Sequence, residues 1–174
     1  MEKGFTLFEV LIVLLLMSIL LLINMPHWKN SQYSQSFLLE QQRLYAFLRQ
    51  LQVRVENSTE IWLLIAQRNM LQKRWCLTGQ IKDDQICDCL NPINCPSHLM
   101  AHFYYPQAPD TMIAAKRYYP SILTRLNGIK NTFESSCFTL QSEQNRVFFS
   151  FSSDGIMSIK PSDAATACRN YEEN

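Results

Sequence analysis

From Phe5 to Ile23 the chain is almost wholly apolar, and the one carboxylate inside that run is Glu9. A helix needs about 20 apolar residues to cross a bilayer, so the stretch is long enough, with Lys3 on its cytoplasmic side giving only a weak bias because Glu2 offsets it. An unpaired acid in hydrocarbon is costly, so Glu9 calls for a partner. Three ordinary readings of the segment can be weighed. A cleavable secretory signal would end in a small-residue site, whereas Asn24, Met25, Pro26, His27 and Trp28 follow Ile23. A buried core helix that is apolar on every face needs a second such segment to cover it, and the sequence holds none. A plain membrane anchor fits the length and leaves Glu9 unexplained.

Gly4, Phe5, Thr6, Leu7 and Glu9 follow a very short leader with one lysine and precede a long apolar run. This pattern resembles the amino terminus of type IV prepilins and of the pseudopilins of type II secretion and competence machines. The resemblance implies that prepilin peptidase cuts between Gly4 and Phe5 and N-methylates Phe5. It also gives Glu9 a role in assembly: the carboxylate of one subunit neutralises the Phe5 amine of a packed neighbour. Deleting one partner of such a buried pair typically costs about 3–5 kcal/mol, enough to select register. Snorkelling of Glu9 to the headgroups is the plainer alternative. Pro26 falls where many pilins carry a helix-kinking proline.

Downstream of Pro26, Phe37, Leu44, Leu48, Leu51 and Val55 recur at spacings of seven, four, three and four, with polar residues filling much of the rest. That spacing predicts an amphipathic helix with one stripe on a domain. A helix from Phe5 to Val55 would be about 75 Å long at 1.5 Å per residue. Beyond Asn57 the period changes. Ile61–Ala66 and Leu71–Leu77 around Arg68, Asn69 and Met70 read as a hairpin. His102–Tyr105 and Phe138–Gln141 read as strands, and Val147–Phe151 pairs with Ile156–Ile159 across Ser153, Asp154 and Gly155. The stretch 107–132 carries few strong signals and reads as an excursion. The expected fold class is α+β: a long amino-terminal helix, half membrane and half amphipathic, on a small antiparallel β-sheet head. The divisions are leader 1–4, transmembrane or filament-core helix 5–25, amphipathic half 26–56 and β-rich head 57–174.

Cys76, Cys87, Cys89, Cys95, Cys137 and Cys168 all lie beyond the apolar segment. An even count confined to the exported part reads as a disulfide set in an oxidising compartment, the periplasm of a Gram-negative host. Zinc on Cys87, Cys89 and Cys95 with His98 or Cys76 is disfavoured, because Cys-x-Cys lacks the usual gap of two to four residues. Trp75 and Cys76, with a second cysteine eleven residues on, resemble the minor pilin class called prepilin peptidase-dependent protein A and its competence relatives. That resemblance and loop geometry pair Cys76 with Cys87, Cys89 with Cys95 and Cys137 with Cys168, one of fifteen connectivities open to six cysteines.

Catalytic constellations are scarce. The three histidines, His27, His98 and His102, form no motif, and four glycines leave little for phosphate loops. No enzyme, metal or cofactor is expected. From Lys29 onward 15 Lys plus Arg face 13 Asp plus Glu, a net of +2 spread along the chain and a poor handle for nucleic acid. Tyr104, Tyr105, Lys116, Arg117, Tyr118 and Tyr119 could stack on and neutralise single-stranded DNA, although such aromatics more often serve a core or a subunit contact. The resemblance thus implies a minor type IV or competence pilus subunit in the inner membrane, amino terminus cytoplasmic and head periplasmic. Its implied partners are prepilin peptidase, other major and minor pilins, the inner-membrane assembly platform and the membrane. A type II secretion pseudopilin is the alternative, and a DNA-binding tip receptor the alternative of another class.

Overall fold

The computed structural model describes residues 7–115 and 118–161, with the backbone alone over 23–31. Its architecture is α+β. Helix α1 runs Leu7–Glu56, and nine strands follow: β1 Ile61–Asn69, β2 Arg74–Ile81, β3 Ala101–Tyr104, β4 Met112–Ala114, β5 Ser121–Asn127, β6 Thr132–Phe133, β7 Ser136–Gln141, β8 Arg146–Phe151 and β9 Met157–Pro161. A 3-10 turn, Pro92–Asn94, interrupts the connection between β2 and β3. The chain divides into two compact units, Met1–Ser36 and Phe37–Asn174.

In the second unit, Phe37, Leu44, Leu48, Leu51 and Val55 are all buried, so the stripe predicted from spacing is the face α1 gives to the head. It lies on an antiparallel sheet of order β3-β2-β1-β5-β6. Alternation decides which side chains meet it. Trp62, Leu64 and Ala66 of β1 and Trp75 and Leu77 of β2 enter the main core with the helix stripe. Gly79 belongs to this face because a Cβ there would lie 2.6 Å from Leu51 Cδ1. The other face carries Leu63, Ile65 and Gln67 opposite Gln80, Thr78 and Cys76, all buried. Burial on both faces is why β1 and β2 read as nearly continuous apolar runs.

A second sheet, order β4-β7-β8-β9, completes the head. Its inner face is aromatic: Phe138 stacks on Phe149 with ring centroids 5.0 Å apart, and Phe151 meets Phe133 of β6 in the first sheet edge-on at 5.8 Å. Two side chains tie the sheets together, Trp75 Nε1 donating to the Thr111 carbonyl at 2.8 Å and Arg68 Nη1 to the Ile113 carbonyl at 3.0 Å. The turn before β9 uses Gly155 at φ 75°, a left-handed conformation that favours glycine.

Three expectations change. The first hairpin forms, but its turn is residues 70–73, with Leu71 97% exposed at the tip instead of in a strand. Lys73 takes φ 49°, and Asn69 Oδ1 accepts the Gln72 N–H, closing the turn with polar backbone chemistry. The stretch 107–132 is no excursion: it supplies β4 and β5, and β5 pairs with β1 inside the first sheet. The paired strand across Gly155 starts at Met157, since Ile156 is in the turn and 60% exposed.

Candidate assembly segment and the surfaces of the head

In the first unit the side chains of Leu7–Leu22 point outward all round the helix, from Leu7 at 81% exposure to Ile12 at 43%. An apolar surface of that kind marks a segment meant for lipid or for other protein chains. Glu9 is exposed within it. Ser18 caps its own hydroxyl on the Leu14 and Leu15 carbonyls at 2.9 and 2.8 Å, so a polar residue rides in the apolar run without an unmet group. Among the described residues no helix is long and apolar enough to cross a membrane. Gly4 and Phe5, the expected cleavage site, lie outside the described residues.

In the head, the seven-residue gap in the helix stripe is filled by Glu40, whose relative exposure is 0%. Its carboxylate accepts the Tyr104 hydroxyl at 2.6 Å and the N–H groups of Gln107 and Ala108 at 3.0 and 3.1 Å. Three donors satisfy a buried acid and lock α1 to β3 and the loop after it. Burial first, and then the bond to Glu40, pushes the Tyr104 hydroxyl far above its ordinary pKa. The interruption of the apolar period was the one available sign of this residue.

The cysteines form a different pattern from the one expected. Cys76 is bonded to Cys89 and Cys87 to Cys95, replacing the pairs Cys76 with Cys87 and Cys89 with Cys95. Two buried amides explain the exchange. Gln67, opposite Cys76 in the β1–β2 ladder, accepts the Cys89 N–H at 2.5 Å and donates to the Cys87 carbonyl at 2.9 Å. Gln80, four residues along β2, accepts the Cys87 N–H at 2.8 Å and donates to the Gln85 carbonyl at 2.8 Å. The segment is therefore clamped so that Cys89, not Cys87, sits beside Cys76. All the sulfurs of the zinc alternative, those of Cys76, Cys87, Cys89 and Cys95, are spent in disulfides. Cys137 is disulfide-bonded, and its expected partner Cys168 lies outside the described residues.

The tyrosine and basic group considered for single-stranded DNA does not make one stacking surface. Tyr104 is in the core on Glu40, and Tyr105 donates to the Cys89 carbonyl at 3.0 Å. Tyr119 donates to the Ile113 carbonyl at 3.2 Å and lies under the Arg68 guanidinium, 4.3 Å from its centre. Tyr118 alone of the four is nearly fully exposed, at 97%, while Lys116 and Arg117 lie outside the described residues. A separate cleft of about 180 Å³ is lined by Phe47, Gln50, Leu51, Arg54, His102 and Phe103. There His102 stacks on Trp62 with centroids 5.9 Å apart, and burial, then the Arg54 charge, lowers its pKa. His98 faces Asp83 at 3.9 Å on the surface, away from any ligand set.

Comparison with known proteins bears on the two units differently. Residues 1–23 match the family model described as the prokaryotic N-terminal methylation motif, the type IV pilin signal, which supports the prepilin and pseudopilin superfamily. An uncharacterized protein of Haemophilus influenzae is 48% identical over 169 residues, covering 97% of this chain and 99% of that one. No solved structure matches.

Proposed function

We propose, from the premise that this chain belongs to the same family as the Haemophilus influenzae protein and begins with the prokaryotic N-terminal methylation motif, that it is a minor subunit of a type IV or competence pilus. The observation that carries the reading is the motif match over residues 1–23, which makes the chain type IV pilin-like. Prepilin peptidase cuts between Gly4 and Phe5 and methylates the Phe5 amine. Phe5–Ile23 anchors the precursor in the inner membrane with the head on the periplasmic side, where disulfides form. On assembly the Glu9 carboxylate meets the Phe5 amine of a neighbour, converting two costly buried charges into one pair. Filament subunits join by heterologous contacts that repeat without closing, so a chain with a distinct head can start or specialise the helix. The head supplies shape and contacts, not catalysis.

Mass spectrometry of the membrane-extracted protein tests this. The mature chain should begin with N-methyl-Phe5, and Gly4→Val should leave an uncut precursor, because the added branched side chain blocks the peptidase's approach to the backbone. Phe5→Leu should still be cut. A mature chain that begins beyond Ile23 would contradict the proposal.

A further inference from the structure

Several exposed side chains gather at the end of the head where α1 enters it. Leu38 and Leu39 of α1 are 50% and 52% exposed, beside the buried Glu40. Glu40 is bonded to Gln107 and Ala108, the loop that they open ends at Thr111, and the Thr111 carbonyl holds the indole of Trp75. Trp75 is the second residue past the β1–β2 turn, so that turn belongs to the same end. It presents Met70 at 63% and Leu71 at 97% exposure, followed by exposed Lys73 and Arg74. Tyr118, also 97% exposed, adjoins Tyr119, whose ring lies under Arg68, the partner of Trp75 in the ladder.

Each of these loops is held rigidly from beneath. Lys73 N–H donates to the Met70 carbonyl at 3.3 Å, and two residues past Arg74 the disulfide at Cys76 fastens β2. A rigid turn with a fully exposed leucine next to a Lys-Arg pair has no use for that leucine in the fold. The charges are also unbalanced: Lys73 and Arg74 are exposed here, Glu40 is buried and satisfied, and the exposed acid nearby is Asp110. Apolar tips flanked by cations suit a surface that is negatively charged outside and apolar just below, which is an anionic lipid headgroup layer.

We infer that this end of the head is a lipid-docking surface, with Leu71 and Met70 inserted at the headgroup boundary and Lys73 and Arg74 on lipid phosphates. The inference rests on the proposed membrane anchorage of Phe5–Ile23. Thirteen residues, 24–36, connect that segment to Phe37, so the head is tethered to its anchor by a short stretch of chain. Such tethering gives weak contacts a high effective concentration. The docked state belongs to the subunit before it joins a filament.

The test uses the full-length Leu71→Trp protein reconstituted into phosphatidylcholine vesicles, with and without one third phosphatidylglycerol, each carrying acyl-chain bromines. Indole emission at position 71, taken as the difference from the unsubstituted chain, should be quenched about twofold more strongly in the anionic vesicles. Adding Lys73→Glu and Arg74→Glu should abolish that difference while the native disulfides persist on a non-reducing gel. Vesicle-bound protein whose position-71 indole stays unquenched would overturn the docking and leave the anchor intact. Protein that fails to float with vesicles would overturn both. Equal shielding in detergent micelles, with cross-links between copies through residues 70–74, would make the tip a protein contact and overturn the lipid assignment.

Discussion

Residues 7–22 and residues 37–56 lie in one helix and have opposite relations to the rest of the chain. The first set exposes leucine, isoleucine and valine on every side, while the second buries one stripe and leaves Arg43, Arg49 and Arg54 in water. Helical propensity does not distinguish them, since both are rich in leucine. What differs is the source of burial. The second set is stabilised by its own head, through Leu51 against Gly79 and Glu40 against Tyr104. The first set has no such burial among the described residues, as an anchor or a filament-core segment would not before it meets its surroundings. A change in the first region should therefore show in assembly with the head intact, and a change in the second should show in folding with processing intact.

The sharpest way to break that division is Glu9→Gln. Insertion and head folding should be unaffected, while incorporation into filaments falls to background, because the neutral amide cannot compensate an amine in an apolar bundle. Glu9→Asp should be less damaging. The measurement is the amount of subunit in sheared pili beside the amount in membranes. Wild-type incorporation of Glu9→Gln would show that the carboxylate only snorkels.

The disulfides probe the head with the next largest effect. Replacing Cys76 and Cys89 together by serine removes a bridge with a sequence separation of 13, and should lower unfolding stability by about 3 kcal/mol in the chain-entropy picture. The Cys87 and Cys95 bridge closes a separation of 8 and should contribute less. Denaturant titration in detergent measures both. Peptide mapping after cleavage before Asp88 and beyond Leu90 separates Cys87, Cys89 and Cys95, so a Cys76–Cys87 peptide would refute the arrangement directly.

These residues also show how much the sequence declares. The helix stripe, the hairpin and the β8–β9 pair are legible because their periods are clean. The strand β5 is not, for a physical reason: register shifts between Leu64 and Ile65 of β1, so Leu123 and Thr124 are both buried and the alternation breaks. Buried Thr124 satisfies its hydroxyl on the Glu134 carbonyl at 2.7 Å, and Ser121 is buried as well, so polar letters stand where a strand pattern asks for apolar ones. The cysteine pairing was hidden similarly. It is set by Gln67 and Gln80, two amides on the face away from the helix, and no local spacing announces that a glutamine will hold a loop backbone. Glu40 was half legible, as a gap in a period. The amino-terminal motif is the opposite case, because its chemistry is carried by adjacent residues and needs no tertiary structure to be read.

Glu40→Gln asks whether the head's grip on α1 depends on the carboxylate. An amide offers one acceptor oxygen in place of two; the N–H groups of Gln107 and Ala108 both donate to Oε2 and the Tyr104 hydroxyl to Oε1, so either both N–H groups or the hydroxyl lose their acceptor. A stability loss of about 2 kcal/mol is expected. Cleavage after Gly4 should be unchanged, because the defect lies in the second region. Accumulation of precursor in this variant would mean that the two regions are coupled during processing.

The smallest expected effect is a pH dependence at His102. Its pKa lies below the ordinary 6.5 because burial disfavours the imidazolium, and Arg54 adds like-charge repulsion. Between the two values the unfolded chain binds the proton that the folded head refuses. Stability from this group is therefore fully present above about pH 6.5 and is lost as the pH falls through the depressed folded value. The site is a partly open cleft, so the slope should be shallow. His102→Phe, which keeps a ring on Trp62 and removes the titration, should flatten the decline that the wild-type head shows just below pH 6.5. Arg54→Gln should shift the decline to lower steepness without removing it, because the burial contribution remains. Urea midpoints of the three proteins measured between pH 5 and 8 would decide it. An unchanged slope in His102→Phe would overturn the assignment of the acid sensitivity to this imidazole.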